Sequence, residues 1–146
     1  MLTATDMPVG DAESVFEEPV LRSLRRYVGE AALSTPVLIT ERISNRILAG
    51  CINLTDGSSV IAVNARLKFD PELMAHALIE ELVHAQQQLD GVDFEEQRRR
   101  FPYEERPYEI QAKQLATEVL GYEPEPCDVQ LLRDEPPDLL DNRPRP

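Results

Sequence analysis

The chain has few cysteines and no long apolar run, and each shortage disfavours a class of protein. Its 146 residues include only two cysteines, Cys51 in an apolar stretch and Cys127 in a proline-rich one. Without CxxC spacing or a secreted context, both are expected to be free thiols, and a cysteine-based zinc site is disfavoured. No run of about 18 apolar residues is present to span a membrane, and residues 1–10 lack the features of a signal peptide. We therefore expect a cytoplasmic protein without a membrane partner.

Basic residues are also scarce, since 15 lysines and arginines stand against 27 aspartates and glutamates, for a net charge of −12. Binding to a nucleic-acid backbone depends on clustered Lys and Arg, so no nucleic-acid partner is expected. The one basic run, Arg98–Arg100, is flanked by glutamates and is interpreted as the solvated face of a charged helix or loop. A substrate attracted by long-range charge would be basic rather than acidic. The sequence does not indicate an oligomeric state.

The length and an apolar fraction of 42% predict one domain with a single core, which we assign to residues 1–121. Residues 122–146 contain six of the twelve prolines, with seven acidic and three basic residues. This composition predicts an acidic, proline-rich tail without regular structure.

Apolar periodicity and turn signals predict an α+β fold within that domain. Glycine in Asp56-Gly57 supplies the positive φ of a β-hairpin turn, and the small sheet then needs a helix packed across one face. The predicted elements are an N-terminal helix from about Pro19 to Ala32, three strands at about 37–43, 46–54 and 59–67, and two helices at about 71–89 and 107–120.

The boundaries of the second predicted helix are well marked. Asp70 can cap it, and Pro71 at the first helical position loses no needed N–H. Gly91 can end it by taking the left-handed conformation. Apolar residues occur on two sides of this helix, so its polar groups are expected in a partly buried seam.

This helix contains the sequence Glu80-Glu81-Leu82-Val83-His84, which is the metallopeptidase pattern HExxH with glutamate in place of the first histidine. A buried carboxylate must be neutralised by a proton, a cationic side chain or a metal, and residues 71–89 contain no Lys or Arg. Residues four apart on a helix are neighbours, so Glu80 and His84 can reach one ion, with Glu81 at its side. His76 is about 12 Å from His84 along the axis, too far to bind the same ion.

A catalytic metal site needs a third protein ligand, for which Glu109 is the best candidate. It lies one position from the apolar stripe of its own helix, near Ala112 and Ala116, whose small side chains allow close helix approach. A carboxylate in a first helical turn also complements the helix dipole, which is the alternative explanation of Glu109.

With these residues the chain resembles the minimal zincin-like metallopeptidases of the gluzincin type. The resemblance covers roughly residues 36–121 in element order, and rests on Glu81 and His84 in EELVHAQQ and Glu109 in YEIQA. It implies a zincin-like α+β fold and a peptide or protein substrate. Glu80 then takes the place of the first histidine ligand, His84 is the second ligand and Glu109 the third. Glu81 is the general base.

The same resemblance implies one divalent transition metal, with zinc as the first choice. Glutamate at position 80 makes the ligand set harder, which moves the preference towards manganese or iron and makes bound water less acidic. Tyr103 or Tyr108 is the candidate donor to a developing oxyanion.

Two other interpretations of these residues remain open. Glu81-x-x-His84 is also the pair found in di-iron helical bundles, although the chain has no second Glu-x-x-His. Alternatively, Glu80, Glu81 and His84 form a metal-free polar network with an arginine of the strands, and the protein is a non-catalytic acidic interaction or accessory module. The arginines in question are Arg42, Arg46 and Arg66. A distance test separates the metal site from the polar network. The side-chain tips of Glu80, His84 and Glu109 must converge within about 3–4.5 Å of one another if they are metal ligands.

Overall fold

The computed structural model describes residues 7–41, 48–53 and 59–124. The turn predicted at Asp56-Gly57, the end of the first predicted strand and nearly all of the predicted tail lie outside these residues. So do Cys127, Arg42 and Arg46.

The described residues form an α+β fold, as predicted. In chain order the elements are β1 (Met7–Gly10), α1 (Ala12–Val15), α2 (Glu18–Leu24), α3 (Glu30–Leu33), β2 (Val37–Thr40), β3 (Ala49–Asn53), β4 (Ser59–Asn64), α4 (Pro71–Leu89), α5 (Phe94–Arg100) and α6 (Pro107–Leu120). Short 3-10 turns at Ala65–Phe69 and Tyr103–Glu105 precede α4 and α6.

The sheet is mixed, with strand order β1-β2-β4-β3. The three predicted strands are present, and β3 pairs antiparallel with β4 as expected for a hairpin. β2 runs parallel to β4, so the chain crosses over between them. The short strand β1 pairs antiparallel with β2 and extends the sheet.

Two short helices, α2 and α3, occupy the region where the sequence predicts one helix from about Pro19 to Ala32, and α1 precedes them. The interruption covers residues 25–29, and Gly29 at its end has an extended backbone and is the N-cap residue of α3. Its N–H donates to the Oε1 atom of Gln86 on α4, at 2.8 Å. The backbone N–H groups of residues 25–28 still donate to backbone oxygens, and the Gln86 side chain provides the acceptor for the N–H of Gly29.

The ends of α4 and α6 follow the sequence signals. The carboxylate of Asp70 accepts a hydrogen bond from the backbone N–H of Leu73 at the start of α4. Beyond its C-terminus Gly91 has a φ of +86°, and Gly121 ends α6 with a φ of +80°. Both glycines occupy the left-handed region that disfavours side chains with a Cβ.

Helix α4 lies between the sheet and α6. It contacts β3 and β4 on one side and α6 on the other, and its side chains are buried along most of its length. The predicted packing of the two long helices is therefore confirmed. None of the described helices combines the length and apolar composition needed to span a membrane.

Helix α5 occupies a charged stretch for which the sequence predicts no definite element. It begins at Asp93, whose side chain accepts from the N–H of Glu96, and none of its residues is fully buried. Arg99 and Arg100 are exposed, and Arg99 pairs with Glu96. The basic run is thus on a charged helix, one of the two environments expected for it.

Candidate functional site

Several polar side chains are buried where α4 and α6 are in contact. We define the α4–α6 seam by His76, Glu80, His84 and Gln87 of α4 and Glu109 and Thr117 of α6. Because α4 is covered on both sides, side chains that a surface helix would expose to solvent are enclosed between the two helices. Polar groups in such a position need partners, and the seam is organised around two histidines.

His84 and Glu109 meet at the centre of the seam. The Nε2 atom of His84 lies 2.7 Å from the Oε1 atom of Glu109. The two residues are 7% and 3% exposed, so the contact is shielded from water. The structure therefore brings together two of the three predicted metal ligands, from helices that are distant in sequence.

Gln87 contacts the opposite side of the His84 ring. The Nδ1 atom of His84 lies 2.8 Å from the Oε1 atom of Gln87. The Nε2 atom of Gln87 donates to the backbone oxygen of Tyr108, at 3.0 Å, and to the Oε1 atom of Gln111, at 2.7 Å. Gln87 was not among the residues predicted for the site, although its position three residues after His84 places it on the same helix face.

Glu80 lies beside the other histidine of the seam. Its Oε2 atom is 3.6 Å from the Nδ1 atom of His76, and its side chain is 15% exposed. The Nε2 atom of His76 is 3.0 Å from the hydroxyl oxygen of Thr117. The i,i+4 spacing allowed Glu80 to approach either histidine, and in this arrangement it approaches His76.

Glu81, the candidate general base, is buried on α4 and only 3% exposed. A carboxylate in such an environment is costly to ionise without compensating interactions. Among the arginines of the alternative polar network, Arg66 is exposed, whereas the other two lie outside the described residues.

Aromatic rings surround the His84 imidazole. The ring of Tyr108 is 5.5 Å from it, centre to centre, and that of Phe94 is 6.3 Å away, both in edge-to-face orientation. Phe94 and Tyr108 also contact each other, at 4.7 Å. Tyr103, the other candidate donor, is buried, and the ammonium group of Lys113 lies 4.6 Å from its ring centre. Tyr108 thus has a ring contact with the His84 imidazole.

The thiol of Cys51, on β3, lies within electrostatic range of His84. Burial raises the pKa of this thiol, whereas His84 and a hydrogen bond with Ser59 act in the opposite direction. Cys51 is a free cysteine, as predicted.

The seam fits a metal ion only in part. Ligands at about 2.0–2.2 Å from a tetrahedral ion lie roughly 3.3–3.6 Å apart, so the contact between His84 and Glu109 is closer in length to a charge-assisted hydrogen bond. Across the described ranges, no group of three or more His, Cys, Asp or Glu side chains is arranged to hold a metal. His84 and Glu109 provide two suitable ligands, and Glu80 is not placed beside them as the third.

No protein-family model, curated protein or solved structure matches this chain.

Proposed function

We propose that this chain is a metal-dependent, peptidase-like hydrolase whose site is the α4–α6 seam. The observation that carries the proposal is the 2.7 Å approach of His84 to Glu109 between two helices, with both side chains buried. In the proposed site these two residues are metal ligands and Glu81 is the general base. Glu80 is the third ligand, on the basis of its spacing from His84 and the resemblance to gluzincins.

The charges of the seam favour a cation. Glu109 lies in the seam and Glu81 is buried on the same helix as His84, and a divalent ion bound there would offset the negative charge of these two carboxylates in addition to the partners they already have. An imidazole and a carboxylate are suitable ligands for zinc, and for manganese or iron when oxygen ligands predominate. When bound, the metal would supply Lewis-acid activation of a carbonyl group and of water.

The side chains have separate tasks in this proposal. Glu81 accepts a proton from the attacking water and can return it to the leaving amine, which is the usual role of a buried carboxylate beside a hydrolytic centre. Phe94 and Tyr108 contact the His84 ring and limit the access of bulk water. Tyr108 is also the better placed of the two tyrosines for contact with a substrate carbonyl.

We propose a peptide or protein as substrate, with basic side chains favoured because the chain has a net charge of −12. We also propose a cytoplasmic location, where a free thiol such as that of Cys51 stays reduced. Neither a nucleic acid nor a membrane is part of this proposal.

Metal analysis of untagged protein tests the proposal directly. We expect about one equivalent of zinc or manganese after reconstitution, and less than about one-third of an equivalent of any transition metal would refute the site. Glu81→Gln should keep the bound metal and lose peptide hydrolysis, because the amide cannot accept the proton. Exposed Glu104 provides the matched control, and Glu104→Gln should retain both properties.

A second candidate function is a non-catalytic interaction or accessory module with a metal-free polar network. The hydrogen bonds of Gln87 to His84 and to the Tyr108 backbone favour it, because they connect the two helices without any ion. In that case the seam is a structural element. Substitution of His84 or Glu109 would then lower stability, and added metal would not stabilise the wild-type protein.

A further inference from the structure

The side chains of His84 and Glu109 are enclosed, so a reactant reaches them only if part of the fold moves. Helices α4 and α6 cannot separate without loss of core packing, because both contribute buried residues such as Leu82 and Ala112. Helix α5 is different, because none of its residues is fully buried. Of the helices around His84, α5 is therefore the one that can move away at the lowest cost.

Side-chain contacts hold α5 in place, mainly against α6 among the described elements. The ring of Phe94 packs edge-to-face on that of Tyr108, with ring centres 4.7 Å apart. The backbone N–H of Tyr108 donates to the Oε1 atom of Gln97, at 2.9 Å. Beyond the helix, the Nε atom of Arg106 donates to the backbone oxygen of Phe101, at 3.2 Å. Two of these contacts involve Tyr108, so the first turn of α6 is the main attachment point of α5.

The chain before and after α5 allows this helix to move as a unit. Gly91 has a φ of +86°, and no atom of the described residues lies within 4 Å of the position that a Cβ would take there. Asp93 caps α5 by accepting from the N–H of Glu96. At the other end the Phe101 N–H donates to the backbone oxygen of Gln97. The helix therefore keeps its own backbone hydrogen bonds when its contacts with α6 are lost.

We infer that α5 is a lid over the α4–α6 seam, which opens by release of Gln97 from the Tyr108 N–H and uncovers the His84 imidazole. In the closed arrangement the Phe94 ring lies 6.3 Å from the imidazole, centre to centre, and covers it. In the open arrangement water replaces Gln97 at the Tyr108 N–H, which belongs to the first turn of α6 and has no intrahelical acceptor. The use of this opening by a substrate rests on the proposed function, whereas the opening itself is a property of the metal-free protein.

Carbethoxylation of the metal-free protein measures the opening. The chain has two histidines, and fragment-ion mass spectrometry follows each of them separately. Gln97→Ala removes the hydrogen bond to Tyr108 without changing an aromatic ring, and the net loss of one neutral hydrogen bond corresponds to about 2- to 10-fold more of the open form. We expect His84 to react faster by that factor. His76, which contacts Thr117 towards the other end of α6, should keep its wild-type rate.

Two further variants separate release of the lid from general loosening. Gln97→Glu keeps an acceptor, and a carboxylate is favoured beside the N-terminus of α6, so His84 should react no faster than in wild type. Gln88→Ala removes an exposed glutamine from α4 and should also leave the rate unchanged. The inference is wrong if Gln97→Ala leaves the rate of His84 unchanged, or accelerates His76 as much as His84. Equal acceleration in Gln97→Ala and Gln97→Glu would contradict it as well.

Hydrogen exchange provides an independent measurement of the same movement. We expect the amides of α5 to exchange at least about 100-fold faster than the buried amides of α4, because the lid opens without unfolding of the core. In Gln97→Ala their exchange should accelerate by the same factor as the carbethoxylation of His84. Amides of α5 that exchange as slowly as those of α4 would overturn the inference. If the lid opens as expected but neither protein hydrolyses a peptide, the proposed function fails and the assignment of α5 as a lid stands.

Discussion

The Nε2 atom of His84 on α4 lies 2.7 Å from the Oε1 atom of Glu109 on α6. Both residues are buried, and the contact lies in the most extensive helix–helix interface of the described fold. This contact bears on both the stability of the protein and its proposed function. The two residues can share a proton in the absence of metal, or provide two ligands when a metal is bound.

The first prediction concerns the coupling between these two residues. Removal of one residue takes a close polar contact away from the other in a buried site, so His84→Ala and Glu109→Ala should each lower the free energy of unfolding by about 3–5 kcal/mol. The double variant should lose clearly less than the sum of the two. Urea denaturation of the metal-free proteins measures all three values.

Exposed Glu105, in the turn before α6, provides the control for this cycle. Glu105→Ala should change the stability by less than about 0.5 kcal/mol, as expected for surface positions. Additive losses in the double variant would show that the contact between His84 and Glu109 contributes no coupling. The proposed metal site predicts in addition that both single variants lose zinc affinity.

The second prediction concerns the cover over the imidazole. Phe94 contacts the rings of His84 and Tyr108 but belongs to α5, which has no fully buried residue. Phe94→Ala should therefore leave the protein folded and increase access to His84. We expect carbethoxylation of His84, located by fragment-ion mass spectrometry, to become several-fold faster.

Phe101, just beyond the other end of α5, gives a matched control. Phe101→Ala removes an aromatic ring of the same size, and the reaction of His84 should keep its wild-type rate. Equal acceleration in both variants would point to general loosening of α5 rather than to shielding by Phe94.

The third prediction tests the start of α4. The Asp70 carboxylate accepts from the Leu73 N–H, and loss of an N-cap of this kind costs about 1 kcal/mol. Asp70→Ala should lower the free energy of unfolding by that amount. Asp70→Asn should retain most of the stabilisation from the N-cap, because the asparagine side chain can also accept from the Leu73 N–H. Exposed Glu72 in the same turn is the control for charge alone. A loss in Glu72→Ala as large as in Asp70→Ala would assign the effect to the helix dipole.

The fourth prediction follows from the raised pKa of Cys51. Burial favours the neutral thiol in the folded state, so the folded pKa is above the unfolded one. This difference in pKa contributes to the free energy of unfolding. The contribution is fully present below the unfolded pKa of about 8.5 and is lost as the pH rises through the folded pKa. The stability difference between wild type and Cys51→Ala should therefore shrink above about pH 8.5.

Alkylation kinetics give an independent measurement on the same thiol. In a Cys127→Ser background, Cys51 should react with iodoacetamide more slowly at pH 8 than the unfolded chain does, since the thiolate is the nucleophile. If the alkylation rate of Cys51 in the folded protein rose with a midpoint at lower pH than in the unfolded chain, the raised pKa of Cys51 would be contradicted.

Much of the fold could be predicted because its signals are local. The boundaries of α4 depend on Asp70, Pro71 and Gly91, and each acts on the backbone within one helical turn. The interruption between α2 and α3 could not be predicted, because the N–H of Gly29 at its end is satisfied by Gln86, which is 57 residues away in sequence. Local propensity describes a segment by itself, whereas this hydrogen bond exists only after α4 has packed.

The sequence by itself determined which residues could act together at the candidate site. Helical spacing places Glu80, Glu81 and His84 on neighbouring positions of α4, and Glu109 stands among small residues on a helix that packs close to it. Only the tertiary structure decided the pairing, in which Glu109 approaches His84 and Glu80 approaches His76. The physical reason is that spacing limits the reach of a side chain within one helix, whereas the choice among reachable partners depends on how α6 docks against α4.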